Sequence, residues 1–399
     1  MKSNKLQLLN GTYMITYIAG LEYREKQYNC KLTGVEKKIN FQLSSLQAID
    51  VHWAGKVISL KYPKKSFTYY IINSLHLTKN IHKAFKSAGC GDIIYIRHLS
   101  AILPIFCEVL YSSFRKRNYK IVFEINALER EGYYARVFEN KSEQLYRKLY
   151  FLYSLIFIVL CEKRLLLCGD GVVSVTNEIS DHYKNLTKGN LKYLTCGNGI
   201  DVSSHKLKLI PKERENVNVL IVATVCEYHG IDRFIRSLHE YESTPEKRNI
   251  VLHIVGEGPE LPNLKELTTE LNLQNRVIFH GFKSGKELDE MFDMCHIALD
   301  ALAGFRKGLT ETSSLKSREY CARGIPFIAS SKDADFPDGW GYVQKIPDDE
   351  TPVDMNTVVD FANRVMADPE HPQKMRAYAE EHLDWMAKMK VLKEFLESL

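Results

Sequence analysis

Along the chain, short runs rich in β-branched and aromatic residues alternate with longer stretches whose apolar positions recur every three or four residues. Continuous or period-two apolar runs read as strands and the longer period as helices, so the alternation predicts βα units that build parallel sheets. In the first half the predicted strands are Tyr13–Ala19, Ile93–Arg97, Lys120–Ile125, Gly171–Val175 and Leu191–Cys196, with helical spacing over Val35–Leu46, Ala101–Tyr111 and Lys141–Lys163. After Asp201 the polar, charged segment VSSHKLKLIPKEREN breaks the pattern and reads as a linker. A second series then starts. Its predicted strands are Val217–Ala223, Ile250–Val255, Val277–His280, His296–Leu299 and Pro326–Ala329; its helices are Ile231–Tyr241, Glu260–Leu271, Glu287–Met294 and Leu315–Ala322. The tail from Pro369 to Leu399 reads as continuous helix with Trp385, Met389, Leu392 and Phe395 near one face. Two successive α/β series of similar size place a ligand-binding crevice at the carboxyl ends of both sheets.

Composition narrows the class. With 399 residues, 45% of them hydrophobic, the chain is of globular type and long enough for two domains that each bury a core. A net charge of +5 gives no strong field, which sets nucleic acid aside as main partner and leaves an anionic membrane surface open. The nine cysteines are odd in number and never spaced C-x-x-C, so they read as reduced thiols of a cytoplasmic protein with no zinc site. No signal peptide is expected in the interrupted apolar stretch before Glu22. The longest apolar run, Leu149 to Cys161, has thirteen residues where a membrane span needs about twenty. It reads as a buried helix, or as an interfacial segment because Arg147, Lys148, Lys163 and Arg164 flank it and Arg115, Lys116, Arg117 and Lys120 form a second basic cluster.

Two stretches carry chemistry. Gly256-Glu257-Gly258-Pro259 follows a predicted strand and opens a helix, where glycines permit a tight turn and close approach of backbone, as a plain β–α turn or against a ligand. In Glu311-Thr312-Ser313-Ser314-Leu315-Lys316-Ser317-Arg318-Glu319, Ser313 or Ser314 is a candidate N-cap, so Lys316 falls in the first helical turn and two carboxylates bracket the positive end of the helix. That arrangement suits a sugar nucleotide: the diphosphate sits against the helix N-terminus with Lys316 in support, and the carboxylates accept from ribose and hexose hydroxyls. A solvated, capped helix start is the competing reading.

The two glutamates separated by seven residues, followed by Tyr320-Cys321-Ala322-Arg323-Gly324-Ile325-Pro326-Phe327-Ile328, resemble the E-x7-E…G-x-P block of the retaining glycosyltransferases of family 4. Gly256-Glu257-Gly258-Pro259, the run Asn272–Gly281, Asn198-Gly199-Ile200-Asp201 and the Gly34-Val35-Glu36 turn resemble further motifs of that family, in its order. The resemblance implies an α/β, GT-B architecture: two Rossmann-like doubly wound domains facing across a crevice. It places an acceptor-binding domain at 1–205, a donor-binding domain at 206–375, and a C-terminal helix, 376–399, packed back on the first domain. Carried over residue by residue, Glu319 would hold the ribose and Glu311 the donor hexose, with Thr312, Ser313 and Ser314 on the diphosphate and the Phe279-His280-Gly281 turn bordering the base. Gly34, Gly256 and Gly258 would be donor-side glycines. The family's Arg and Lys clamp is missing, since the first strand of the second series runs into Ala223-Thr224-Val225-Cys226-Glu227-Tyr228-His229-Gly230. Arg306, Lys307 and Lys316 are the available cations, and His229 is a candidate donor to phosphate. On the acceptor side Glu124 and His98 end neighbouring strands and are candidate catalytic residues.

The resemblance thus implies a hexosyltransferase that needs no metal or other cofactor. It would use a UDP- or GDP-sugar and a glycan or lipid-linked acceptor of capsule, exopolysaccharide or O-antigen assembly. The expected place is the cytoplasm, with peripheral contact to the inner face of the plasma membrane. A catalytically silent nucleotide-sugar-binding subunit and a GT-B sugar-nucleotide epimerase are the alternatives.

Overall fold

The computed structural model describes residues 13–22, 34–50, 53–60, 67–97, 118–134, 137–138, 145–212, 215–245 and 247–399. The chain divides into two compact units: Met1–Cys196 with Met389–Leu399, and Gly197–Lys388. Each is a six-stranded, all-parallel sheet with helices, so the protein is α/β with two Rossmann-like domains.

In the first unit the strands β1 (Tyr13–Glu22), β2 (Trp53–Leu60), β3 (Ile93–Arg97), β4 (Lys120–Ile125), β5 (Gly171–Ser174) and β6 (Lys192–Thr195) lie in the order β2-β1-β3-β4-β5-β6. The central strands are buried on both faces: β3 is buried at all five positions, and Ile94, Ile96, Ile121, Phe123 and Val172 form the core with Leu77 and Ile81 of the helix Phe67–Ser87. That is why continuous apolar runs mark them. Predicted and observed strands agree to within three residues for β1 and within one for β3 to β6. β2 and the helix Phe67–Ser87 were not anticipated by periodicity, whereas the helix Asn177–Thr187 falls between two predicted strands, where the alternation calls for a helix. The expected helix Ala101–Tyr111, Arg115, Lys116, Arg117 and His98 lie outside the described residues.

In the second unit β7 (Asn216–Val222), β8 (Asn249–Val255), β9 (Val277–Gly281), β10 (Ile297–Leu299), β11 (Phe327–Ala329) and β12 (Val343–Lys345) lie in the order β12-β11-β10-β7-β8-β9. Val219, Ile221, Leu252 and Ile254 pack with Phe234, Ile235 and Phe361 into one core, and Leu220, Ala298, Tyr320 and Phe327 belong to another. The helices Ile231–Tyr241, Leu261–Glu270, Lys286–Met294 and Leu315–Arg323 fall where the apolar spacing places them.

The tail differs from its expected continuous helix. It runs as His371–Tyr378, a wide turn Ala379–Leu383, and Trp385–Ser398, because Asp384 adopts an extended backbone (φ −61°, ψ 145°). Its carboxylate accepts from the N–H groups of Met386 (2.8 Å) and Val202 (3.2 Å), which starts the last helix while anchoring the segment after Ile200. Among the described residues no helix is long and apolar enough to cross a membrane.

Candidate active site

The second unit contains a cavity of about 450 Å³ at the carboxyl ends of β7 and β10 and the amino end of the helix Leu315–Arg323. Open parallel sheets place their binding sites at the carboxyl ends of strands because loops there leave room and helix N-termini point in. The helix start is built by its own sequence. Ser314 is the N-cap: its Oγ accepts the Lys316 N–H at 3.2 Å and donates to Asp300 Oδ1 at 2.9 Å. Ser313 is held by Asn198, whose N–H donates to Ser313 Oγ (2.7 Å) and whose side-chain amide donates to the Ser313 carbonyl (2.6 Å).

Below the helix start lies the wholly buried Arg318. Its guanidinium donates to the carbonyls of Asn198 (3.0 Å) and Ser314 (3.2 Å) and pairs with Asp333 and Asp335. A rigid fork with five donors is suited to tying three chain segments together, so Arg318 fixes the helix end against Asn198. Nothing in the sequence distinguished this arginine from an ordinary helix charge; only its partners do.

Two lysines and a neutral histidine line the cavity. Lys316 Nζ stands 3.2 Å from Asp300 Oδ1, and Asp300 is buried at the end of β10. Lys307 Nζ lies over the Tyr228 ring, 3.2 Å from its centroid, and burial followed by the charge of Lys316 lowers it to about 8. Burial, then Lys316, pushes His229 down to about 3, so its ring is neutral. His229 Nδ1 accepts the Cys226 N–H at 3.1 Å. The ring proton of the neutral form is therefore on Nε2, which makes His229 a hydrogen-bond donor that adds no third positive charge.

The cavity brings together Glu311, Thr312, Ser313, Ser314, Lys316, Lys307 and His229, along with Thr224, Tyr228 and Ser331, which the sequence did not single out. The Thr312 N–H is used within the fold, donating to the Lys332 carbonyl at 2.8 Å. Arg306, one residue from Lys307, is turned elsewhere: it pairs with both carboxylate oxygens of Asp232 (2.8 and 2.9 Å) and with Glu350. Glu319 is not in the cavity lining; its Oε1 accepts from Arg323 Nε at 2.8 Å, with His205 Nε2 at 3.8 Å.

Gly256 and Gly258 serve the approach of two loops. A Cβ on Gly256 would stand 1.9 Å from the Ala223 carbonyl oxygen, and one on Gly258 would stand 2.1 Å from that of Val225. Between them Val225 donates its N–H to the Glu257 carbonyl at 2.9 Å. The glycines thus set the position of the Ala223–His229 loop that forms one cavity wall. Phe279, His280 and Gly281 lie in β9, away from the cavity lining, where His280 Nε2 is 3.0 Å from His253 Nδ1.

In the first unit Gly34 opens the helix Gly34–Ile49, and Glu124 ends β4 in a buried cluster. Its Oε1 accepts from Arg97 (2.8 Å), Lys38 (2.9 Å) and Asn126 (3.1 Å), and Tyr17 donates to Oε2. Burial alone would raise this carboxyl, but Lys38 and Arg97 outweigh it and hold it at about 2. Such a carboxylate stays ionised and orients its cations. Among the described residues no group of three or more His, Cys, Asp or Glu side chains is placed to hold a metal ion.

Residues 204–382 match the profile of the family described as Glycosyl transferases group 1. Sucrose-phosphate synthase from Thermosynechococcus elongatus is similar in structure with a TM-score of 0.62 at 15% identity, over 97% of this chain and 98% of that one. HepE from Anabaena, in complex with UDP and glucose, gives 0.61 at 14% identity, over 97% and 100%. The lipopolysaccharide outer core galactosyltransferase WaaB in its apo form gives 0.61 at 11% identity, over 97% and 100%. At these identities the likeness is one of fold. No curated protein matches by sequence. A glycosyltransferase group 1 domain on the GT-B fold makes the chain a glycosyltransferase.

Proposed function

We infer that this glycosyltransferase moves a hexose, with retention of configuration, from a nucleotide diphosphate sugar whose diphosphate occupies the cavity of the second unit. The observation that carries the reading is the convergence of Lys307, Lys316, neutral His229 and a helix amino end on one cavity. As the bond from the anomeric carbon to phosphate breaks, negative charge grows on the leaving diphosphate. Fixed donors in a partly desolvated site then bind the transition state more strongly than the ground state. The two lysines supply the charge that the family's Arg and Lys would have supplied, which supports an active enzyme over a silent subunit.

In this reading Glu311 accepts from hexose hydroxyls and Glu319, oriented by Arg323, accepts from the ribose. The departing phosphate oxygen takes the proton of the acceptor hydroxyl, so no separate strong base is required. Glu124, held at about 2, positions Lys38 and Arg97 instead of acting as that base. The HepE complex with UDP and glucose favours a UDP-hexose as donor. The acceptor we propose is a glycan, lipid-linked in surface-polysaccharide assembly, and the chain's own cations balance the diphosphate without a metal.

The test is thermal unfolding with UDP-, GDP-, ADP- and dTDP-sugars in EDTA. Ligand at one hundred times its Kd stabilises the native state by about 2.7 kcal/mol, so the correct nucleotide class raises Tm by several degrees. A panel without any shift, in EDTA and in magnesium alike, overturns the donor assignment; a shift that needs magnesium overturns metal-free binding.

A further inference from the structure

We propose that the helical segment from Leu145 to Leu166 of the first unit is a docking surface for an anionic lipid bilayer, lying in the interface without crossing it. The segment comprises the helix Leu145–Phe157, a wide turn Ile158–Glu162 and the short helix Lys163–Leu166. It has two apolar faces. One, with Phe151, Ile158, Leu165 and Leu166, is buried in the first unit. The other is not: Leu145, Leu149, Leu152, Ile156, Val159 and Leu160 recur at spacings of one to four residues, and Leu145, Val159 and Leu160 are 74, 61 and 69% exposed. Those steps keep the side chains on one stripe of the helix.

A contiguous exposed apolar stripe needs an occupant. Charge selects which. Lys148 flanks the stripe near its start, and Lys163 and Arg164, both exposed, close its far end. The one acidic residue in the segment, Glu162, accepts a hydrogen bond from the Tyr183 hydroxyl at 3.1 Å. Apolar side chains between lysines and an arginine match the boundary of acyl chains and anionic headgroups, where long basic side chains reach outward. The buried face prevents full insertion, and the run of thirteen apolar residues is too short to span. The surface is independent of the donor reading, since none of its residues lines the cavity.

The test is sedimentation of the full-length protein with vesicles that contain no glycan, of phosphatidylcholine alone or with phosphatidylglycerol. We expect binding to the anionic vesicles, weakened by 0.5 M salt, and lowered about tenfold or more by the exposed-face pair Leu152→Glu with Ile156→Glu. Lys163→Glu with Arg164→Glu, which leaves the apolar stripe intact, lowers binding to anionic vesicles without touching the core. Circular dichroism and Tm of all variants remain those of the wild type. Equal sedimentation with and without vesicles, or binding that neither pair reduces, overturns the proposal. A concentration-dependent dimer in sedimentation velocity that Leu152→Glu with Ile156→Glu abolishes, with no vesicle binding, assigns the stripe to a second copy and overturns it too.

Discussion

Replacing Lys316 with Met separates the two jobs that its ammonium performs. Its Nζ is 3.2 Å from Asp300, whose carboxylate is buried and also bonded by Ser314 Oγ. At an effective dielectric of about 20, unit charges at that distance attract by about 5 kcal/mol, most of which only offsets the desolvation of the pair. Breaking a buried pair leaves the partner uncompensated, and the Lys316 side chain keeps 19% of its exposure, so the expected loss of stability is about 1–3 kcal/mol. The second loss is a charged hydrogen bond to the diphosphate, worth about 1.5–3 kcal/mol, or about ten- to a hundredfold in donor Kd. Urea unfolding measures the first and isothermal titration with the UDP-sugar measures the second. Adding Asp300→Asn removes the orphaned charge while keeping an acceptor for Ser314. The double variant Lys316→Met with Asp300→Asn therefore recovers most of the stability and none of the affinity. Recovery of both would show that Lys316 serves only to neutralise Asp300 and would refute the phosphate contact.

Other consequences are equally specific. Glu311→Gln lowers transfer by about a hundredfold if Glu311 binds hexose hydroxyls in the transition state, yet leaves the Kd of UDP, which has no hexose, within about threefold; a large change in UDP affinity would contradict this. Gly256→Ala puts a Cβ 1.9 Å from the Ala223 carbonyl at φ +129° and costs about 3 kcal/mol, whereas Gly285→Ala, at φ +56° with nothing within 4 Å, costs about 1 kcal/mol, both read as Tm. His229 and His253 are held at about 3 and 4 by burial, so between those values and an unfolded pKa of about 6.5 the unfolded chain binds more protons. Stability is therefore complete above about pH 6.5 and falls on acidification by up to about 1.4 kcal/mol per pH unit for each ring, as urea midpoints at several pH values would show.

Legibility in the sequence followed burial. β3 and β4 read correctly because strands buried on both faces are unbroken apolar runs bounded by polar turns. β2, with the sequence WAGKVISL, is interrupted by glycine and lysine, and β12 is a three-residue edge strand, so neither leaves a periodic trace. The helix Phe67–Ser87 begins FTYYII, residues with strand preference, and its helical state comes from the core that Leu77 and Ile81 enter. The Ser314 cap and the place of Lys316 in the first helical turn were legible because capping chemistry is local. Arg306 and Lys307 were indistinguishable as neighbouring cations; the short turn Gly304–Lys307 sends one to Asp232 and Glu350 and the other over Tyr228. Asp300 and Arg318 could not be found at all, since what makes them matter is which buried charge each one meets in three dimensions.

In the proposed function the diphosphate of the donor sits in the cavity between Lys307, Lys316, His229 and the start of the helix Leu315–Arg323. A crystal structure of the UDP complex grown in EDTA tests it most directly. Phosphate oxygens are expected within hydrogen-bond reach of Lys316 Nζ, Lys307 Nζ and His229 Nε2, with Arg306 still bound to Asp232. UDP located outside this cavity, or a diphosphate held there by Arg306 in place of the two lysines, would contradict it.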